Sequence, residues 1–136
     1  MFGKNKKGKQ HGHIDTLIGT KTHVEGNINF SGGLRVDGHV CGNITATGDA
    51  QSTLVLSDQG NVDGKIQVAN VVINGTVTGP IQADEYLELQ AKAKVFGDVH
   101  YGSMEIQLGA SVEGKLIRID NVHPEKLVTL IPASSD

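Results

Sequence analysis

At 136 residues and a formal net charge of −3, the chain has the size of one domain and lacks the overall positive charge that draws a protein along a nucleic acid. Eighteen glycines, no tryptophan and three phenylalanines exclude a wide core plugged by rings and favour a narrow one in which Val, Ile and Leu stack in rows. A single cysteine, Cys41, excludes an internal disulfide, and no stretch reaches the roughly 20 apolar residues of a membrane span, so a reducing cytoplasm is the expected setting.

Residues 1–13 carry Lys4, Lys6, Lys7 and Lys9 and no acid, a charge of +4, whereas residues 14–120 sum to −6 and residues 121–136 to −1. With three glycines and no apolar periodicity, this segment reads as a flexible basic tail whose large apolar residue is Phe2. It also lacks the apolar run of a secretory signal. Only this tip could be attracted to an anionic partner. Over residues 14–22 the pattern is ambiguous: Ile14, Leu17 and Ile18 suit either a partial first coil or a segment lying across the open end of a solenoid.

From Val24 the chain repeats one unit, an apolar residue, a glycine two positions on and a second apolar residue two further. It occurs at Val24, Gly26 and Ile28; Val40, Gly42 and Ile44; Val62, Gly64 and Ile66; Val77, Gly79 and Ile81; Val95, Gly97 and Val99; and Val112, Gly114 and Leu116. The glycines step by 16, 22, 15, 18 and 17 residues, a period with one insertion expected within Thr47 to Thr53. A repeat of this length without helical spacing predicts a stacked β-solenoid. Each repeat adds a second pair spaced by two, Leu34 and Val36, Leu54 and Leu56, Val71 and Ile73, Leu87 and Leu89, or Met104 and Ile106. In a strand that spacing puts both side chains on one face, pointing inward. Each coil then divides into three short strands, and the coil is a triangle in cross-section. Six coils at about 4.8 Å each make a rod roughly 25–30 Å long.

Residues 121–136 contain Pro124 and Pro132 and no repeat; proline lacks the donor a ladder needs, so the solenoid is expected to span 14–120 and a disordered tail to come after it. Neither tail reads as a cap. Uncapped solenoid ends expose apolar cross-section and unpaired backbone groups, and pairing at both ends makes a filament. The expected contact residues are Val24, Ile28 and Phe30 in the first full coil and Leu116, Ile117 and Ile119 in the last.

With these features the chain resembles the bactofilins. The resemblance covers about Val24 to Ile119, including the run from Gly33 through Leu34, Arg35, Val36 and Asp37 to Gly38, and extends to the tip, where Met1 and Phe2 precede lysines. It implies an all-β, right-handed parallel β-helix that polymerises without nucleotide or other cofactor into nonpolar filaments, like end joined to like end. It also implies attachment to the inner face of the bacterial cytoplasmic membrane, with Met1, Phe2, Lys4, Lys6, Lys7 and Lys9 as the targeting tip. Cell-wall or shape-determining proteins are the implied partners. Similar proteins bury an aromatic residue at the carboxyl-end contact, whereas this final coil offers only aliphatic residues and Phe96 lies a coil earlier.

Other motifs read as parts of the repeat. Gly109 to Lys115 matches the spacing of a phosphate-binding loop, but Leu116 stands where Ser or Thr would hold magnesium and no helix is readable after it. His39 and Cys41 share one outer face, yet a structural zinc usually takes four ligands and no CxxC or matching His pair exists elsewhere, so solvated residues and no metal are expected. His11 and His13 lie in the tail. No serine sits in a nucleophile elbow and a convex rod offers no deep pocket, so no catalysis is expected. The rival readings are a hexapeptide-type acyltransferase, for which His100 lies inside a repeat instead of on a long excursion, and a surface or ice-binding solenoid, for which Thr45, Thr47, Thr76 and Thr78 are too few.

Overall fold

The structure, a computed structural model, describes residues 13–46, 48 and 50–119. Among them are fifteen strands and no helix. In chain order these are β1 (Thr16–Ile18), β2 (His23–Glu25), β3 (Ile28–Asn29), β4 (Gly33–Val36) and β5 (His39–Cys41). Then come β6 (Ile44–Thr45), β7 (Thr53–Leu56), β8 (Asn61–Asp63), β9 (Ile66–Ile73) and β10 (Thr76–Thr78). The last are β11 (Ile81–Leu89), β12 (Lys94–Phe96), β13 (Val99–Ile106), β14 (Ser111–Glu113) and β15 (Leu116–Arg118). Every pairing is parallel and joins a strand to its counterpart in the next coil, so the chain is a β-solenoid of about six turns.

The register makes the expected rows explicit. On the first face, the six-stranded sheet β2-β5-β8-β10-β12-β14, Val24, Val40, Val62, Val77, Val95 and Val112 stack in one column. Ile28, Ile44, Ile66, Ile81, Val99 and Leu116 form the column of the next face. The third face carries Leu34, Leu54, Val71, Leu87 and Met104 beside Val36, Leu56, Ile73, Leu89 and Ile106. β9, β11 and β13 run unbroken round the corner between these last two faces, which is why all their strands join one sheet. β1 pairs in register with β4, Ile18 beside Val36, which settles residues 16–18 as a partial first coil and not a segment across the end.

The corners absorb the variation in coil length. Ile44 and Leu54 are ten residues apart where their neighbours Ile66 and Val71 are five apart, so the insertion falls at one corner, within the stretch the spacing predicted. Its backbone is anchored by Asn70, whose Nδ2 donates to the Ala50 carbonyl (3.1 Å) and the Ser52 carbonyl (3.0 Å). The Ser52 carbonyl also accepts the Asn70 amide (3.0 Å), so one residue ties the insertion to the next coil through both backbone and side chain. At another corner, Asn side chains cap the following coil: Asn27 Oδ1 accepts the Asn43 amide (2.9 Å) and Asn43 Oδ1 accepts the Lys65 amide (3.0 Å).

Outward positions also stack, with electrostatic consequences. Glu88 and Glu105 face each other across β11 and β13, a like-charge pairing that costs stability in a ladder. The Tyr86 hydroxyl lies between them, 3.0 Å from Glu88 Oε1 and 3.1 Å from Glu105 Oε1. Burial, and then these two carboxylates, push the Tyr86 pKa up, so the hydroxyl stays a donor.

Candidate functional site

The core residues of the middle coils are sealed because each is covered by a coil on both sides: Val62, Val77, Val95, Ile66, Ile81 and Leu89 have no exposed surface. The same columns end differently. Val24 and Val112, which terminate the valine column, are only half-buried. Leu116 at the end of its column is 46% exposed, and Ile106 at the end of its own is 48% exposed. The side chains are no different in kind; what they lack, among the described residues, is the next coil.

At the amino end, Ile18 is buried while Val24, Ile28 and Phe30 pack against the core and stay half-buried. Leu17, on the outer side of β1, is 59% exposed. At the carboxyl end Met104, Ile106 and Leu116 line an open depression with Tyr101 and Arg118 at its margin. Ile117 occupies the outward column with Gln82 and His100, so it borders the end instead of forming it. Ile119 is half-buried and its amide donates to the Tyr101 carbonyl (2.6 Å). Met104 and Ile106 belong to this end as much as Leu116 does, whereas spacing along the chain assigns them only to the core rows. Among the described residues, β1, β2 and β3 at one end and β14, β15 and the Ser103–Ile106 part of β13 at the other are paired on one side only. Both ends therefore present apolar cross-section beside a row of backbone donors and acceptors, a surface complementary to another parallel coil.

The family model for bactofilins, described as polymer-forming cytoskeletal proteins, matches residues 16–117. The chain belongs to the bactofilin family. Bactofilin BacO of Myxococcus xanthus (strain DK1622) is 32% identical over 102 residues, which cover 75% of this chain and 78% of BacO. Bactofilin BacP of the same organism is 29% identical over 119 residues, 88% of this chain; the chain spans about half the length of BacP, 48% of it being matched. No solved structure gives a significant match. At the level of the family, this bactofilin is a polymer-forming cytoskeletal protein.

The membrane-targeting tip, Met1, Phe2, Lys4, Lys6, Lys7 and Lys9, lies outside the described residues, as does the segment 121–136. Phe96 stands on the outer side of β12, 42% exposed, between Thr78 and Glu113 in the ladder, and is not among the residues that line the carboxyl-end depression. The segment resembling a phosphate loop is the turn at Gly109 and then β14, and the Lys115 amide donates to Asp98 Oδ1 (3.0 Å), the same corner cap that Asn27 and Asn43 provide. An amide committed in this way is not aimed at a phosphate.

Proposed function

We propose that this bactofilin assembles end to end into filaments without nucleotide, on the inner face of a bacterial cytoplasmic membrane, where it positions cell-wall or shape-determining proteins. The observation that carries assembly is that the valine column and the column of the next face finish at both ends on residues only partly covered, Val24 and Val112, Ile28 and Leu116, and that the third face does so at Met104 and Ile106. Fully burying a large apolar side chain contributes about 1.5–3 kcal/mol. The four partly covered residues Val112, Leu116, Met104 and Ile106 thus supply on the order of 3–6 kcal/mol at the carboxyl end. Association itself costs about 4–15 kcal/mol, so ladder hydrogen bonds between coils must supply the remainder. This makes the strand edges as necessary to the contact as the apolar surface.

Nucleotide independence is supported by the strand-and-turn conformation of residues 109–115. Assembly monitored by light scattering is expected to run at the same rate with and without ATP or GTP, and Lys115→Ala to leave it unchanged. A clear dependence on either nucleotide overturns this part of the proposal.

Membrane attachment is supported by the separation of charge, +4 at the tip against −6 over residues 14–120, which turns the tip and not the rod toward an anionic surface. Each lysine near such a surface contributes about 1 kcal/mol, and burying Phe2 about 1.5–3 kcal/mol. One subunit is then weakly held once the tail's ordering cost is subtracted, but a filament presents many tips at once and binds firmly. In co-sedimentation with anionic liposomes, Phe2→Ala, replacement of the four lysines by glutamine, and raised salt are each expected to release protein into the supernatant. Wild-type filaments that stay in the supernatant at low salt would show the tip to be only a solubilising tail.

A further inference from the structure

We propose that His23, His39, Cys41 and Asp63 form a zinc-binding site on the outer face of the first three coils. The four residues come from three adjacent strands of one sheet: His23 on β2, His39 and Cys41 on β5, and Asp63 on β8. Register sets His23 beside His39 and Cys41 beside Asp63, while His39 and Cys41, two apart, project from the same side of their strand.

Donor atoms of His23, His39 and Cys41 converge, and Asp63 adjoins this group through His39 and Cys41. One ligand atom each of His23, His39 and Cys41 lies within 4.8 Å of the other two. Cys41 Sγ is 3.6 Å from His39 Nε2 and 3.6 Å from Asp63 Oδ2, and His39 Nε2 is 3.0 Å from Asp63 Oδ2. A four-coordinate zinc with bonds of about 2.0–2.3 Å requires donor–donor edges of about 3.3–3.6 Å. The two edges that involve sulfur already have that length, and the third needs only a small opening. The His23 and His39 rings are 4.5 Å apart, centroid to centroid, so the second imidazole borders the same point.

The chemistry of the set distinguishes it from a catalytic arrangement and from a hard-cation site. A thiol, imidazole and acid that worked as a nucleophile, base and orienter would place thiol and acid on opposite ring nitrogens. Here Cys41 and Asp63 both approach Nε2 of His39, which is convergence on a point and not a relay. Two imidazoles, one thiolate and one carboxylate are borderline-soft donors that suit zinc and not magnesium or calcium, and the two anionic ligands balance its charge. Glu25 lies 3.3 Å from His23 Nε2, a carboxylate–imidazole contact of the type that orients rings around zinc. The donors sit on ladder-paired strands, which fixes their positions before an ion arrives. His39 and Asp63 are part-exposed, leaving a path for entry. Once bound, the ion ties the terminal strand β2 to the two coils behind it.

The test uses the full chain, stripped with chelator and then dialysed against zinc. One zinc per chain is expected, with a raised melting temperature. Cobalt in its place is expected to show the intense bands of a four-coordinate site together with a thiolate charge-transfer band. Cys41→Ser and His39→Ala should each lower zinc affinity by more than the about 10–100-fold that loss of a mere supporting hydrogen bond costs. Cys41→Ser should also abolish the charge-transfer band. All four positions face outward, and circular dichroism checks that the variants keep their β structure. The double variant His11→Ala, His13→Ala is expected to bind like wild type. The proposal is overturned by substoichiometric zinc in the wild type, by a weak six-coordinate cobalt spectrum, or by binding that survives Cys41→Ser and disappears in the tail variant.

Discussion

Leu116→Arg is expected to reduce filaments to short species while leaving the β-rich spectrum of the subunit intact. Leu116 ends the column Ile28, Ile44, Ile66, Ile81, Val99, and its 46% exposure is the surface the next molecule would cover. A charge carried into such a dry contact costs several kcal/mol unless it is paired, comparable to the about 3–6 kcal/mol that the apolar residues of this end contribute. If the joint pairs two carboxyl ends, the substitution enters twice. Within the isolated subunit the arginine can reach water across the open end, so the fold loses little. Ile119→Arg, at the half-buried end of the last strand, should act in the same direction. Phe96→Arg is the control, because Phe96 is equally apolar and comparably exposed but lies on the outer side of β12. Electron microscopy and sedimentation decide the matter: long filaments in Leu116→Arg, or equal damage from Phe96→Arg, would place the carboxyl-end contact elsewhere.

The second large effect concerns the fold. Gly79→Ala is expected to destabilise the subunit by about 3–5 kcal/mol, and Gly26→Ala by only about 1–2 kcal/mol. Both glycines occupy the same slot of the repeat with positive φ, +146° at Gly79 and +128° at Gly26, so alanine is strained at either. They differ in what lies behind them. A Cβ on Gly79 would run into the carbonyl oxygen of Gly64 in the preceding coil, backbone held by its own ladder, whereas a Cβ on Gly26 meets nothing within 4 Å because no described coil precedes it there. Chemical denaturation should be measured in the Leu116→Arg background, so that polymerisation does not add to apparent stability. Equal losses at the two positions would show that backbone strain and not coil-on-coil contact makes glycine necessary.

The same contrast between covered and uncovered coils governs how much of the site is legible in the chain itself. Leu116 is visible as an end residue because it closes the last copy of the repeat, and Val24 and Ile28 because they open the first. Met104 and Ile106 read as ordinary members of the core rows. Their exposure comes from the absence of a further strand over the Ser103–Ile106 part of β13 among the described residues, which no property of the two side chains announces. His39 and Cys41 look like an incomplete ligand pair when only neighbours along one strand are compared. Each flanks a column valine, as His23 flanks Val24 and Asp63 flanks Val62, so superposing the repeat units supplies the missing partners.

By itself the amino-acid sequence determined the solenoid, its three faces, the identity of the core columns and the place of the insertion. These rest on local rules: a period of two sends alternate side chains to one face, and a glycine returning at each coil marks the slot where backbone packs on backbone. Only the tertiary structure decided that Thr16–Ile18 is a paired strand, that Ile117 belongs to the side and Leu116 to the end, and that His23, His39, Cys41 and Asp63 share one patch. Those are properties of register. Corners of differing length can be inserted without disturbing a local pattern, so which residues become neighbours is settled when coils pair through their backbones, not when each strand forms.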